Sequence, residues 1–92
     1  MSIEKNKKTQ CNILSKKLVD RLLNNDYSGC ENIIDEALRI QLHPAEIYSY
    51  IISDSMVKIG TLWHEGKISI AHEHLATQMI ASIVDMIADK FP

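Results

Sequence analysis

Three observations predict an all-α fold, an antiparallel four-helix bundle. Apolar residues recur at spacings of three and four through four separate stretches. Those stretches are divided by Asn24-Asn25-Asp26, by Gln41-Leu42-His43 and by Glu65-Gly66-Lys67, connections short enough to make neighbouring helices pack. No segment alternates apolar and polar residues as a half-buried strand would, and there is no Pro/Gly-rich linker or internal repeat.

Taken in order, residues 1–9 are polar and read as a flexible, solvated tail that includes Lys5, Lys7 and Lys8; residues 10–92 form the domain. The first helix is predicted from Gln10, with Cys11, Leu14, Leu18 and Leu22 inward. Asn24-Asn25-Asp26 ends it, because these side chains compete for backbone hydrogen bonds. Ser28 and Glu31 have capping-box spacing and predict the start of a second helix, which buries Ile33, Ile34, Ala37 and Leu38 and ends near Ile40.

His43 reads as a connection residue. Pro44 suits a first helical turn, where its missing N–H is not needed. Tyr48, Ile51, Ile52, Ser55, Met56, Ile59, Leu62 and Trp63 then carry a third helix to His64. Gly60 inside it weakens the helix and points to close packing against a neighbour. Gly66 is placed to end the helix in a left-handed conformation, and Ser69 to cap a last helix from Ile70 to Ala88. That helix puts Ala71, Leu75, Met79 and Met86 on one flank and Ile80, Val84 and Ile87 on another. It is therefore central, or it faces a partner as well as a core.

Composition narrows the function. A formal charge of −2 argues against direct nucleic-acid binding, which needs a basic surface. No apolar run is long enough for a membrane span, and the N-terminus lacks a secretory signal, so a cytoplasmic location is expected. Cys11 and Cys30 lack C-x-x-C spacing and read as reduced thiols on helices.

The chemistry is concentrated in Met56–Thr77, which holds the only Trp, three of the four His and an adjacent Glu73-His74 pair. A tight turn places Trp63 and His64 at the end of one helix as Ile70, Glu73, His74 and Thr77 begin the next. On that helix these four point within about 100° of one another. They offer an aromatic plate, an imidazole, a carboxylate and a small hydroxyl around an apolar floor. His72 and His74 point about 200° apart and cannot share a zinc ion without unwinding the helix. No nucleophile, glycine loop or second carboxylate stands at a catalytic spacing, so no enzyme is expected. The plain alternative is that Trp63 packs in the core and Glu73 merely suits the helix dipole.

The string M-x-x-I-G-x-L-W-x-x-G-x-I-S-x-A-x-E-H-x-A-T, with nine residues between Trp63 and Glu73-His74, resembles the helical cap of cobalamin-binding modules. It is most similar to the cap of light-responsive, adenosylcobalamin-dependent transcriptional regulators of the MerR type. Related caps occur in methionine synthase and in corrinoid methyltransferase proteins. The resemblance covers residues 10–90 in helix pattern and is specific over Met56–Thr77. It implies that Trp63 lies over the upper corrin face and that Ile70, Glu73 and His74 close around the adenosyl group, with Glu73 suited to its ribose hydroxyls; Thr77, on the same helix face, is a further candidate for cofactor binding. It also implies that His64 can bind cobalt once light breaks the Co–C bond. Such caps are followed by a Rossmann-like domain with an Asp-x-His-x-x-Gly motif, which supplies the lower ligand. That motif and the regulators' winged helix are absent here, so a Rossmann-like domain or chain is the expected partner.

Two other readings compete. One is a helical interaction module that self-associates or docks through its Trp63/Ile70 face. The other is the cap of a corrinoid methyl-transfer carrier.

Overall fold

The computed structural model describes residues 3–91. Its elements are α1 (Ile3–Leu23), α2 (Tyr27–Arg39), α3 (Pro44–Glu46), a π-helical stretch (Ile47–Ile52), α4 (Ser53–His64) and α5 (Ile70–Lys90). α3, the π-helical stretch and α4 follow without a break, so the molecule is all-helical with four rods. No strand occurs among the described residues.

α1 is the element on which the others assemble, because it packs against α2, the π-helical stretch, α4 and α5. Its inward stripe of Cys11, Leu14, Leu18 and Leu22 is buried as the periodicity predicts. Ile33, Ile34 and Ala37 of α2 close one side of this core, and Leu38 packs at its edge. Ile47, Ile51, Ile52 and Ile59 of the third rod close another, and α5 adds Ala76, Met79, Ile80, Ile83 and Ile87.

One polar cluster lies inside this apolar frame. Ser15 and Ser55 are fully buried between α1 and α4. Ser15 donates to Asp54 Oδ2 at 2.6 Å, and Ser55 donates to the Ile51 carbonyl at 2.6 Å. Lys58 closes the group with an ion pair to Asp54 at 2.9 Å. Burying a hydroxyl costs free energy only while it lacks a partner, and here both hydroxyls have one.

Several local expectations are corrected. The first helix starts at Ile3, ahead of Gln10. Lys7 does not simply trail in solvent: its ammonium pairs with Glu46 at 2.9 Å and ties the start of α1 to α3. α2 is capped by Asp26, which accepts from the Gly29 N–H, so Ser28 falls inside the first turn and not at the cap. Ahead of it, Asn25 takes a left-handed φ of 55° and ends α1 as expected of its neighbourhood.

The third rod is not uniformly α-helical. The Ser53 N–H bonds the Tyr48 carbonyl, five residues back, which inserts an extra residue into the turn. This wider turn lets Ile47, Ile51 and Ile52 all face inward while Tyr50 is exposed. His43 is more than a connection. Its Nδ1 accepts from the Ala45 N–H at 3.1 Å and its own N–H donates to Glu46 Oε1 at 2.8 Å, a reciprocal cap. That bond, with Lys7 beside it, holds the Glu46 carboxyl below its ordinary range.

Gly60 supplies the last correction. A Cβ built there meets no atom within 4 Å, so close packing against a neighbouring helix of this chain does not account for it. On α5, Leu75 is exposed while Met79 of the same flank is buried, so that flank lies only partly in the core.

Candidate functional site

The candidate site begins at the joint between α4 and α5. The Lys67 N–H bonds the Leu62 carbonyl at 2.8 Å and the Gly66 N–H bonds the Trp63 carbonyl at 2.9 Å. This pair of bonds is the Schellman arrangement, and it requires the left-handed φ of 73° that Gly66 adopts. The chain then reverses within five residues, and Ser69 accepts from the His72 N–H at 3.2 Å to start α5. α4 and α5 pack together, so Trp63 and His64 share one end of the molecule with the first turns of α5.

The three histidines of this region differ in their surroundings. His72 is held against its own helix cap, with Nδ1 2.8 Å from the Ser69 hydroxyl. His74 has Nε2 3.3 Å from the Gln78 side-chain amide, one turn on. His64, at the exposed C-terminus of α4, follows Trp63 directly. No group of three or more His, Cys, Asp or Glu among the described residues is arranged to hold a metal ion.

Glu73 is the most organised member. The Thr77 hydroxyl lies 3.0 Å from its carbonyl oxygen and 3.2 Å from Oε1, so its one proton is shared between the two acceptors on the helix surface. Around it the apolar members remain open. Trp63 is 45% exposed and Ile70 is 65% exposed, large values for side chains that would gain most from burial. The core-packing alternative for Trp63 therefore does not describe this chain.

Trp63, Ile70, His74 and Thr77 all stand exposed at the surface. A groove of about 560 Å³ lies elsewhere, lined by Lys7, Cys11, Glu46, Tyr50 and Asp54. A smaller, almost wholly apolar groove of about 330 Å³ is lined by Val19, Val57, Thr61 and Leu62. Neither includes Trp63, Ile70, Glu73, His74 or Thr77. An exposed indole, an exposed isoleucine, a carboxylate and an imidazole on the two helix ends that meet at this joint can cover a broad apolar object with a polar rim. They cannot enclose one alone.

Sequence reasoning grouped Ile70, Glu73, His74 and Thr77 on one helix face but did not foresee that Gly60 on α4 has an open side. The empty side of Gly60 lies on α4 between Met56 and Trp63 on one flank and Val57 and His64 on the other. The signal was present, since a glycine inside a helix needs a reason; the direction of its bare side was not.

Comparison with curated proteins gives no match, and comparison with solved structures gives none. A family model described as the B12 binding domain matches residues 14–88, which takes in α2, α4, the joint, the whole candidate surface and nearly all of α5. The match spans most of the sequence, and the chain therefore belongs to the B12 binding domain family, as a cobalamin-binding helical cap.

Proposed function

We propose that this chain is an antiparallel bundle covering the upper axial face of a cobalamin, adenosylcobalamin in particular, within a light-responsive transcriptional regulator. The observation that carries this reading is the exposure of Trp63 and Ile70 at the joint between α4 and α5, with Glu73 in the first turn of α5. These residues fit the group. A corrin is broad and apolar with amide groups at its rim, and the donor set here is one indole, aliphatic surface, one carboxylate and two imidazoles.

In this reading Trp63 lies against the corrin face and excludes water from the upper side. Glu73 accepts hydrogen bonds from hydroxyls of the upper group, and Thr77 holds the carboxylate in part, so less ordering is left to occur on binding. Ile70 and His74 close the flanks. The bound cobalamin supplies a light-sensitive cobalt–carbon bond and a cobalt coordination position. His64 carries a nitrogen suited to that metal and sits on the residue next to the shielding indole. A Rossmann-like domain or chain completes the lower half of the site. The chain acts by binding and shielding, without catalysis of its own. No described helix is long and apolar enough to cross a membrane.

The test is a dark absorbance titration of the chain, mixed with a separately prepared Rossmann-type cobalamin domain, with adenosylcobalamin. Gel filtration follows before and after green light. Corrinoid that co-elutes in the dark with the parent and not with Trp63→Ala supports the reading. Equal retention by parent, Trp63→Ala and Glu73→Gln overturns the assignment of the surface. His64→Ala is expected to bind in the dark like the parent and to differ only in the spectrum after illumination.

The same exposure of Trp63 and Ile70 favours a second reading, self-association through that face. Stable dimers that form without corrinoid and persist in its presence would select it.

A further inference from the structure

α1 and the third rod run side by side in the same direction. Lys7 pairs with Glu46 near the start of each, Ser15 with Asp54 midway, and Val19 shares a groove with Thr61 and Leu62 near the end. The two grooves between them, about 560 Å³ and about 330 Å³, adjoin at the Asp54–Lys58 ion pair, because Asp54 lines the first and Lys58 the second. Together they form one trough about three helical turns long, from Lys8 to Val19. One end carries the Lys7 and Lys8 ammonium groups; the other is almost wholly apolar, with Val57 66% exposed. Lys7 is paired with Glu46, whereas Lys8 forms no ion pair among the described residues.

α5 presents a matching seam on its outer side. Ala71, Leu75, Gln78, Ser82, Asp85 and Asp89 recur at spacings of four and three, so they lie along one line of the helix, and all six are exposed. A seam this regular is the part of a helix that packs against other helices, yet here it is left uncovered. Its first half is free of charge and includes Leu75. Its last half carries Asp85 and Asp89, neither of which forms an ion pair among the described residues. From Leu75 to Asp85 the helix rises about 15 Å, and α1 spans about 16 Å from Val19 back to Lys8. The apolar and charged ends therefore match when the two helices run in opposite directions, with carboxylates against ammonium groups and leucine against valine.

We propose that the α5 seam of one copy of this chain docks in the trough of a second copy, antiparallel to its α1. The occupant is an amphipathic helix and the trough runs between two helices, so the contact is of the helix-in-groove kind. It is separate from the surface around Trp63. On α4, Thr61 and Trp63 point about 200° apart, and on α5, Leu75 and Ile70 point about 140° apart. Self-association through the trough is therefore directed away from the candidate cobalamin surface and needs no corrinoid. The seam and the trough are different surfaces and each copy carries both, which makes the contact heterologous. A net charge of −2 opposes it only weakly.

The experiment is sedimentation equilibrium of the full chain without corrinoid, from about 10 μM to about 1 mM. The mass of the parent is expected to rise with concentration, and its association to weaken about 5-fold or more between about 0.05 M and about 0.5 M NaCl. Leu75→Asp, in the seam, and Val57→Asp, in the trough, are each expected to lose self-association by about 10-fold or more. An equimolar mixture of these two variants is expected to form a 1:1 complex, because each supplies the surface that the other lacks. Circular dichroism establishes that the variants are folded, and Lys8→Glu takes the place of Val57→Asp should the aspartate disturb the helix. A parent that stays monomeric throughout, or a mixture that forms no complex, overturns the proposal. So does association that is lost in Trp63→Ala and kept in Leu75→Asp, which would assign it to the other face.

Discussion

The Thr77 hydroxyl sits one turn above Glu73 and touches it twice, at 3.0 Å to the carbonyl oxygen and 3.2 Å to Oε1. A hydroxyl has one proton to donate and its shorter contact is to the carbonyl, so the carboxylate is only partly held and nearly all of its acceptor capacity stays free. That is a useful state for a group meant to bind hydroxyls of a ligand.

Replacing Thr77 by Val keeps the shape and removes the hydroxyl. The site is exposed, so stability is expected to change by no more than about 0.5 kcal/mol. Adenosylcobalamin binding is expected to weaken a few-fold, because Glu73 must then be ordered on binding. Glu73→Ala removes the acceptor itself and is expected to cost about 1.5–3 kcal/mol in binding. Titrations on both variants check the ranking; an intact affinity for Glu73→Ala would remove the carboxylate from the site.

Trp63 separates stability from binding most clearly. Truncating a fully buried aromatic residue costs about 3–5 kcal/mol, whereas this indole is 45% exposed. Trp63→Ala is expected to cost about 1–2 kcal/mol of stability while removing most corrinoid retention. Leu18→Ala, at a fully buried position of α1, is the contrast: about 2–5 kcal/mol lost. Chemical denaturation of the three proteins measures the difference.

Much of the fold is written in local signals, and its legibility follows their range. The α1 stripe, the left-handed Gly66 and the Ser69 cap each depend on residues within one or two turns, and each is where the pattern puts it. Asp26 and Ser28 show the limit. Both are good caps two residues apart, and the choice falls to the one whose carboxylate reaches the Gly29 N–H. The π-helical turn at Ile47–Ile52 is less legible, because an extra residue in one turn leaves an apolar-rich stretch looking helical either way. At the site, helix geometry groups Ile70, Glu73, His74 and Thr77 on one face. Whether Trp63 is covered depends on how far α5 wraps α4, which no local spacing encodes.

Gly60 offers a prediction of opposite sign to most mutations. With nothing near its Cβ position, Gly60→Ala is expected to stabilise the isolated chain by about 0.5–1 kcal/mol. A domain of this size would show a rise of several degrees in Tm. A fall in Tm would mean that the bare backbone serves the fold after all.

The Ser15 hydrogen bond to Asp54 gives the pH dependence. It crosses 39 residues of sequence and, with the Lys58 ammonium, holds the Asp54 carboxyl below its ordinary value of 3.8. A carboxyl whose folded value is lowered contributes stability above its unfolded value and loses that contribution as pH falls through the folded one. The network is therefore fully stabilising at neutral pH and fails only in strong acid. Ser15→Ala removes the larger of the two causes. It is expected to cost about 1 kcal/mol at neutral pH, a modest figure because the Asp54 side chain is 40% exposed and water partly replaces the lost partner. The difference between parent and variant is expected to shrink as pH drops below 3.8, since protonated Asp54 no longer draws on the charged pair. Urea unfolding of both proteins from pH 2 to pH 7 measures this convergence. Curves that stay parallel through the acid limb would show that Ser15 stabilises the α1–α4 contact by packing alone.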